Sequence, residues 1–213
     1  MQEAAVLENF FRIRYSFFKW RYSLVWIDKI ALAFGMACAT GILAQVRMPL
    51  FWTPVPITGQ TFAVLLAGVL LGRWWGGISQ AMYVAIGAAG VPWFNGFSGG
   101  LTVLAGPTGG YLIGFILAAL FLGHWTDKYI RARSFLAIFS LMLLANFILI
   151  YILGLFQLRL WFYIAKGASP TLYELLMAGA IPFIAGDTLK IIAAATLAHL
   201  ITPKEAFNGE ADA

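Results

Sequence analysis

Six apolar stretches, joined by short polar or glycine-rich segments, constrain this chain more than any other feature. They lie near 29–47, 59–72, 76–89, 109–123, 134–156 and 180–202. A helix that crosses a membrane needs about 20 mostly apolar residues, so six crossings consume roughly 120 residues. The chain has 213, which leaves room for loops but not for a soluble domain. Composition agrees: 62% of the residues are hydrophobic and 11% are charged, where a soluble domain carries about 25% charge. Mean hydropathy is +0.85. These figures exclude disorder, nucleic-acid binding as a main task, and an ordinary soluble enzyme. The expected fold is an all-α integral membrane protein with six transmembrane helices, residing in lipid.

The basic residues test that layout. With the N-terminus in the cytoplasm, Arg12, Arg14, Lys19, Arg21, Lys29, Arg73, Lys128, Arg131, Arg133 and Lys204 fall inside, and Arg47, Arg159 and Lys166 fall outside. A ten-to-three bias is what the positive-inside rule expects. Both termini are therefore expected in the cytoplasm, with the protein in the cytoplasmic membrane.

Three parts follow. Residues 1–28 mix Phe10, Phe11, Ile13, Phe17 and Phe18 with Arg12, Arg14, Lys19 and Arg21. That pattern suits a basic amphipathic helix on an anionic membrane surface, or an anchor that only fixes topology. Residues 29–202 form the membrane domain, and 203–213 a cytoplasmic tail. Between the second and third stretches, Gly72-Arg73-Trp74-Trp75-Gly76-Gly77 reads as a tight turn, with Gly76 and Gly77 free to take positive φ. The segment 90–108 carries no charge and is expected to fold back over the helices, because irregular backbone beside lipid must be shielded by protein. A short surface helix is expected near Thr171–Ala178, in an outer loop spanning about 157–179.

Asp187 and Lys190 carry the strongest chemical signal. They are the acid and the base that fall within an apolar stretch. A charge at mid-membrane is costly and usually faces a cavity or a partner. A spacing of three puts both on one helix face. They could be a self-neutralising ion pair. They could also be the polar patch of a ligand site, since lysine donates to a carboxylate and aspartate accepts from N–H groups. Pro182 fits the first turn of that helix, which puts the pair in the outer half of the membrane.

A second signal is Thr53 to Thr61, where two prolines stiffen the chain and Thr58, Gln60 and Thr61 offer polar groups. Thr58 could instead serve only as a helix cap. A third is Gly106 to Tyr111, a turn and helix start without the lysine of a phosphate loop. Tyr83, Trp93, Phe94 and Tyr111 suit either a pocket lining or interfacial anchors. Ala33, Ala37 and Gly41 form a small-residue face that serves either internal packing or docking to another membrane subunit.

Some chemistry is not expected. Neither His124 nor His199 stands in a run with enough ligand-type residues to hold a metal, and Cys38 is the lone cysteine, so neither a metal site nor a cofactor is expected. There is no Walker A or HExxH motif, so the chain does not read as an enzyme. A membrane transferase with Asp187 as base, and a proton-coupled carrier, are the competing classes.

Five segments in order resemble the BioY family: Pro54-Val55-Pro56-Ile57-Thr58-Gly59-Gln60-Thr61, Leu66 through Gly72, Tyr83 through Gly90-Val91-Pro92-Trp93-Phe94, Gly106 through Leu112, and Ala185 through Lys190. The resemblance covers about 29–202. It implies a six-helix substrate-binding (S) component of an energy-coupling factor (ECF) transporter, which captures biotin from outside. It also implies a transmembrane coupling protein and two ATPase subunits as partners, with release of ligand by toppling in the membrane. Asp187 and Lys190 would hold the polar groups of biotin. Gln60, Tyr83, Trp93, Phe94, Asn95, Gly99, Thr108 and Tyr111 would complete the site, and Ala33 and Ala37 would dock the coupling protein. Another small carboxylated vitamin on the same scaffold is the alternative ligand.

Overall fold

The structure is a computed structural model that describes residues 2–167 and 169–206. The expected tail lies mostly outside the described residues, as do the side chains of Phe10 and Lys166. The elements are helical throughout, apart from one small hairpin. Helix α1 (Gln2–Ser23) precedes α2 (Trp26–Gln45). Strands β1 (Arg47–Met48) and β2 (Ile57–Thr58) pair antiparallel, with Arg47 opposite Thr58. Then come α3 (Gln60–Leu71), α4 (Arg73–Ala88), the single turn α5 (Leu101–Leu104) and α6 (Gly109–Lys128). Helix α7 (Phe135–Leu144) runs through a π-helical turn (Ala145–Ile150) into α8 (Tyr151–Lys166), forming one rod. A short α9 (Leu172–Gly179) and a 3-10 turn (Ile181–Phe183) lead into α10 (Ile184–Ile201).

Every expected apolar stretch falls on a helix. Among the described residues, four helical stretches have the length and composition to cross a membrane: Trp26–Gln45, Gly109–Lys128, Phe135–Ala165 and Leu172–Ile201. Helices α3 and α4 are shorter, at 12 and 16 residues. The outward faces are apolar as well. Phe34, Ile42, Ile113, Leu117, Leu136, Ile152, Phe156 and Leu189 are all exposed, a surface that suits lipid rather than water.

Helix α6 runs through the middle, against α3, α4 and the α7–α8 rod. It can do so because its contact positions are small. A Cβ at Gly114 would stand 2.7 Å from Ile150 Cα, and one at Gly110 would collide with the Leu153 carbonyl. Backbones therefore approach without intervening side chains, the packing mode that membrane helices favour.

Three local expectations change. The joint between α3 and α4 is Gly72 alone, at φ 81°. Gly76 and Gly77 are inside α4, where a Cβ on Gly76 would stand 2.7 Å from the Ala67 carbonyl oxygen. They are small for packing, not for a turn. The rod continues to Lys166, well past the expected end at 156, and ends on Gly167 at φ 67°. Ala33 and Ala37 are fully buried where α2 packs on α3 and α4. That small-residue face is turned into the bundle.

The capped surface helix is present: Thr171 and Glu174 form a reciprocal capping box at the start of α9. Helix α1 is packed on protein rather than lying apart. Phe18 is 2% exposed. Arg21 donates to the Leu70 carbonyl (2.6 Å) and to Asp127 Oδ1 (3.0 Å), and Asp127 Oδ2 accepts from the Arg73 amide at 2.8 Å. Arg14 reaches the Leu200 carbonyl at 3.3 Å. The last carbonyls of a helix have no partner within the helix, and α1 supplies arginines to two such ends. Phe11, Ile13 and Phe17 remain on its outer face.

Arg21→Ala is expected to destabilise the protein by about 2 kcal/mol or more, since it removes the cation from Asp127 and the donor from the end of α3 together. Chemical unfolding in detergent checks this. An unchanged midpoint would mean that α1 rests on the bundle without holding it.

Candidate ligand-binding site

The joints at the end of the bundle away from Arg21 enclose one cavity. Its wall is made by Val55, Pro56, Ile57 and Thr58 of the β-hairpin, by Gln60 and Thr61 at the start of α3, and by Phe94 and Asn95 of the uncharged loop. Val103, Thr108, Tyr111, Leu112 and Phe115 contribute from α5 and α6, Ile150 and Tyr151 from the rod, and Phe183, Asp187 and Lys190 from the start of α10. The lining is mostly apolar, with a few convergent polar groups, as small-molecule sites usually are.

Asp187 organises the floor. It is 4% exposed and forms an ion pair with Lys190 on its own helix. Its Oδ2 accepts from the Asn146 amide at 2.9 Å and from the Tyr151 hydroxyl at 2.7 Å. Thr61 Oγ1 lies 3.5 Å from Oδ1. Lys190 also donates to the Thr58 carbonyl at 2.7 Å. A buried carboxylate needs this density of partners, because an uncompensated charge there would cost several kcal/mol. Oδ1 keeps room for a better donor than the distant Thr61 hydroxyl, and the Lys190 ammonium has a third hydrogen.

The π turn explains how the rod supplies both of its donors. Asn146 and Tyr151 are five residues apart, which in an α-helix would separate them by about 140°. The turn from Ala145 to Ile150 is wound with i→i+5 bonds, so the two side chains fall on one face and converge on Oδ2. Sequence reasoning missed both residues. A lone asparagine in the apolar run 135–150 was the available signal for Asn146. The spacing of five hid its partner.

Seven of the expected site residues line the cavity: Asp187, Lys190, Gln60, Phe94, Asn95, Thr108 and Tyr111. Tyr83, Trp93 and Gly99 do not. Tyr83 is fully buried one layer behind, where its hydroxyl accepts from Gln60 Nε2 at 2.7 Å and sits 3.3 Å from the Trp93 carbonyl. The Trp93 indole N–H donates to the Tyr83 carbonyl at 2.9 Å. Gly99 is a packing position, since a Cβ there would stand 2.6 Å from the Val91 carbonyl oxygen. These three support the loop from behind the cavity wall.

The loop itself folds over the helices as expected. Gln45 donates to the carbonyls of Trp93 (3.2 Å) and Phe94 (3.0 Å) and accepts from the Phe97 amide (3.0 Å). Phe94 is buried against Tyr83, edge to face at 5.3 Å. Arg47 reaches Asn95 Oδ1 at 3.4 Å, which puts a second cation beside the lining. Thr58 does not cap α3. Its hydroxyl donates to Gln60 Oε1 at 2.9 Å, and Gly59 is the cap residue.

Asn146→Ala and Asp187→Ala are expected to be non-additive in stability, with a coupling of about 0.5–3 kcal/mol for groups in contact. A double-mutant cycle by unfolding in detergent measures it. Strict additivity would show that the rod does not hold the carboxylate.

Comparison with known proteins fits this arrangement. The model of the BioY family matches residues 15–206, a span that takes in the second half of α1. The chain is 58% identical to the probable biotin transporter BioY of Methanothermobacter thermautotrophicus, over 69% of this chain and 94% of that one. It is 38% identical to the biotin transporter BioY of Thermotoga maritima, over 73% and 84%. Among solved structures, it is similar to the crystal structure of the S-component for biotin from an ECF-type ABC transporter. That match has a TM-score of 0.72 and 26% identity, and covers 81% of this chain and 89% of that one. The chain belongs to the BioY family.

Proposed function

We propose that this protein binds biotin from the outside of the cytoplasmic membrane and delivers it inward as the S component of an ECF transporter. The observation that carries the reading is the Asp187–Lys190 pair on the floor of a mostly apolar cavity, in a chain whose relatives are named biotin transporters. Biotin has matching parts. Its ureido ring offers N–H donors and a carbonyl, its sulfur ring is apolar, and its side chain ends in a carboxylate. Asp187 Oδ1 takes the ureido N–H groups. Lys190 takes a ligand oxygen with its third hydrogen. Phe94, Tyr111 and Phe115 cover the apolar ring.

In this reading six helices lie across the membrane, with both termini in the cytoplasm. The basic end of the bundle, with Arg21, Lys128, Arg131 and Arg133, supports that orientation, because cytoplasmic loops collect positive charge. The cavity at the opposite end then opens outward. A transmembrane coupling protein and two ATPase subunits supply the energy, since the chain carries no nucleotide motif of its own. Ligand capture by this reading requires no metal or cofactor and no chemical conversion.

Calorimetric titration of the purified protein with biotin, with lipoate as control, tests the reading. A one-site isotherm for biotin without ATP or metal, and a much weaker one for lipoate, is the expected result. Asp187→Asn and Lys190→Ala are each expected to weaken binding by about 10- to 100-fold, the range for a lost hydrogen bond to a charged group. Wild-type titrations of both variants, in protein shown to be folded, would overturn the assignment. Uptake in proteoliposomes separates energy sources: dependence on added ATPase subunits supports the ECF reading, and collapse with an uncoupler at constant ATP supports a proton-coupled carrier.

A further inference from the structure

A second cleft opens at the basic end of the bundle, between the starts of α2 and α4. Trp26, Lys29, Trp74, Trp75 and Ile78 line it, and none of them touches the biotin cavity. Trp26 and Trp75 meet edge to face with centroids 5.4 Å apart. The Lys29 ammonium is steadied by the Tyr22 carbonyl at 3.1 Å, across the short break between α1 and α2. Beside the cleft, the Arg73 guanidinium lies over the Trp74 ring at 4.6 Å. Trp26 and Trp74 are 75% and 64% exposed.

The polar side-chain groups of the cleft are all donors. Lys29 keeps two ammonium hydrogens beyond the Tyr22 bond, and an indole can only donate. The indole N–H groups of Trp26, Trp74 and Trp75 have no protein acceptor among the described residues. Asp28 is exposed and, as the neighbour of Lys29 on a helix, is turned about 100° away. The cleft sits at the start of α2, a helix long and apolar enough to cross a bilayer, beside the start of the shorter α4. Aromatic walls with a cation at that level match a phosphodiester headgroup whose acyl chains continue down an apolar face. A zwitterionic headgroup would bring its own ammonium toward Lys29 and Arg73, so the charge favours a lipid with net negative charge.

We infer that this cleft is a binding site for an anionic phospholipid, with the phosphate at Lys29 and the acyl chains against Trp75 and Ile78. The site ties lipid to the junction of α1, α2 and α4. It is independent of the biotin reading.

Native mass spectrometry of the full chain in detergent tests it, with dioleoylphosphatidylglycerol, dioleoylphosphatidylcholine and glycerol 1-phosphate as probes. The expected result is retention of the glycerol lipid over the choline lipid, with no retention of glycerol 1-phosphate. Lys29→Gln is expected to lower retention of the anionic lipid about fivefold, the scale of one basic residue near an anionic surface. Lys204→Gln, exposed at the same end but outside the cleft, is expected to leave it unchanged. Biotin titration of Lys29→Gln should match wild type, which verifies the fold. Equal losses in both lysine variants would reduce the effect to bulk charge and overturn the proposal. Equal retention of the choline lipid, or tight binding of glycerol 1-phosphate, would overturn it too.

Discussion

The Asp187 carboxylate is the point on which the rest of the structure converges. Four segments meet there: α10 carries it, α3 brings Thr61, the rod brings Asn146 and Tyr151, and Lys190 extends the pair to the hairpin carbonyl at Thr58. An ionised group in an apolar interior is tolerated only when its partners are fixed. The need to satisfy one carboxylate therefore sets the phase of the rod, the position of the hairpin and the register of α10 together. The π turn follows from the same need, because an uninterrupted α-helix would not present both Asn146 and Tyr151 to it.

The opposite end is built on a second set of charges with a different task. Arg21 binds the end of α3 and Asp127 of α6, Arg14 binds the end of α10, and the Arg133 side chain donates to the Thr126 carbonyl at 2.9 Å. These arginines close helix termini that would otherwise be left unpaired. The two ends thus divide the labour: one gathers polar side chains around a space, and the other spends its arginines on backbone carbonyls.

How much of this was legible in the sequence depended on whether a feature leaves a one-dimensional trace. Asp187 and Lys190 did, because charges in an apolar run are rare and a spacing of three is a same-face spacing. The six apolar stretches and the folded-back loop did, because lipid and uncharged backbone impose simple rules. Asn146 and Tyr151 did not, because their convergence depends on a winding that apolar sequence does not encode locally. Ala33 and Ala37 were ambiguous for the opposite reason. Small residues suit any close helix contact, and only the packed structure shows that α3 and α4 already occupy that face. Tyr83 and Trp93 read as either pocket lining or interfacial anchors, but a sequence cannot separate a pocket wall from the layer that supports it.

The brevity of α3 has a consequence for the cavity itself. Arg21 pins the end of α3 level with the end of α6, so the two helices share a base. Helix α3 has 12 residues and rises about 18 Å, while α6 has 20 and rises about 30 Å. Phe115, the deepest α6 residue in the lining, stands 12 positions before Asp127, again about 18 Å above that base. The chamber is therefore the column of space that α3 does not fill. Its depth is fixed by where a helix begins rather than by the size of the side chains around it, so one added turn at Gln60 would fill what many point substitutions could only narrow.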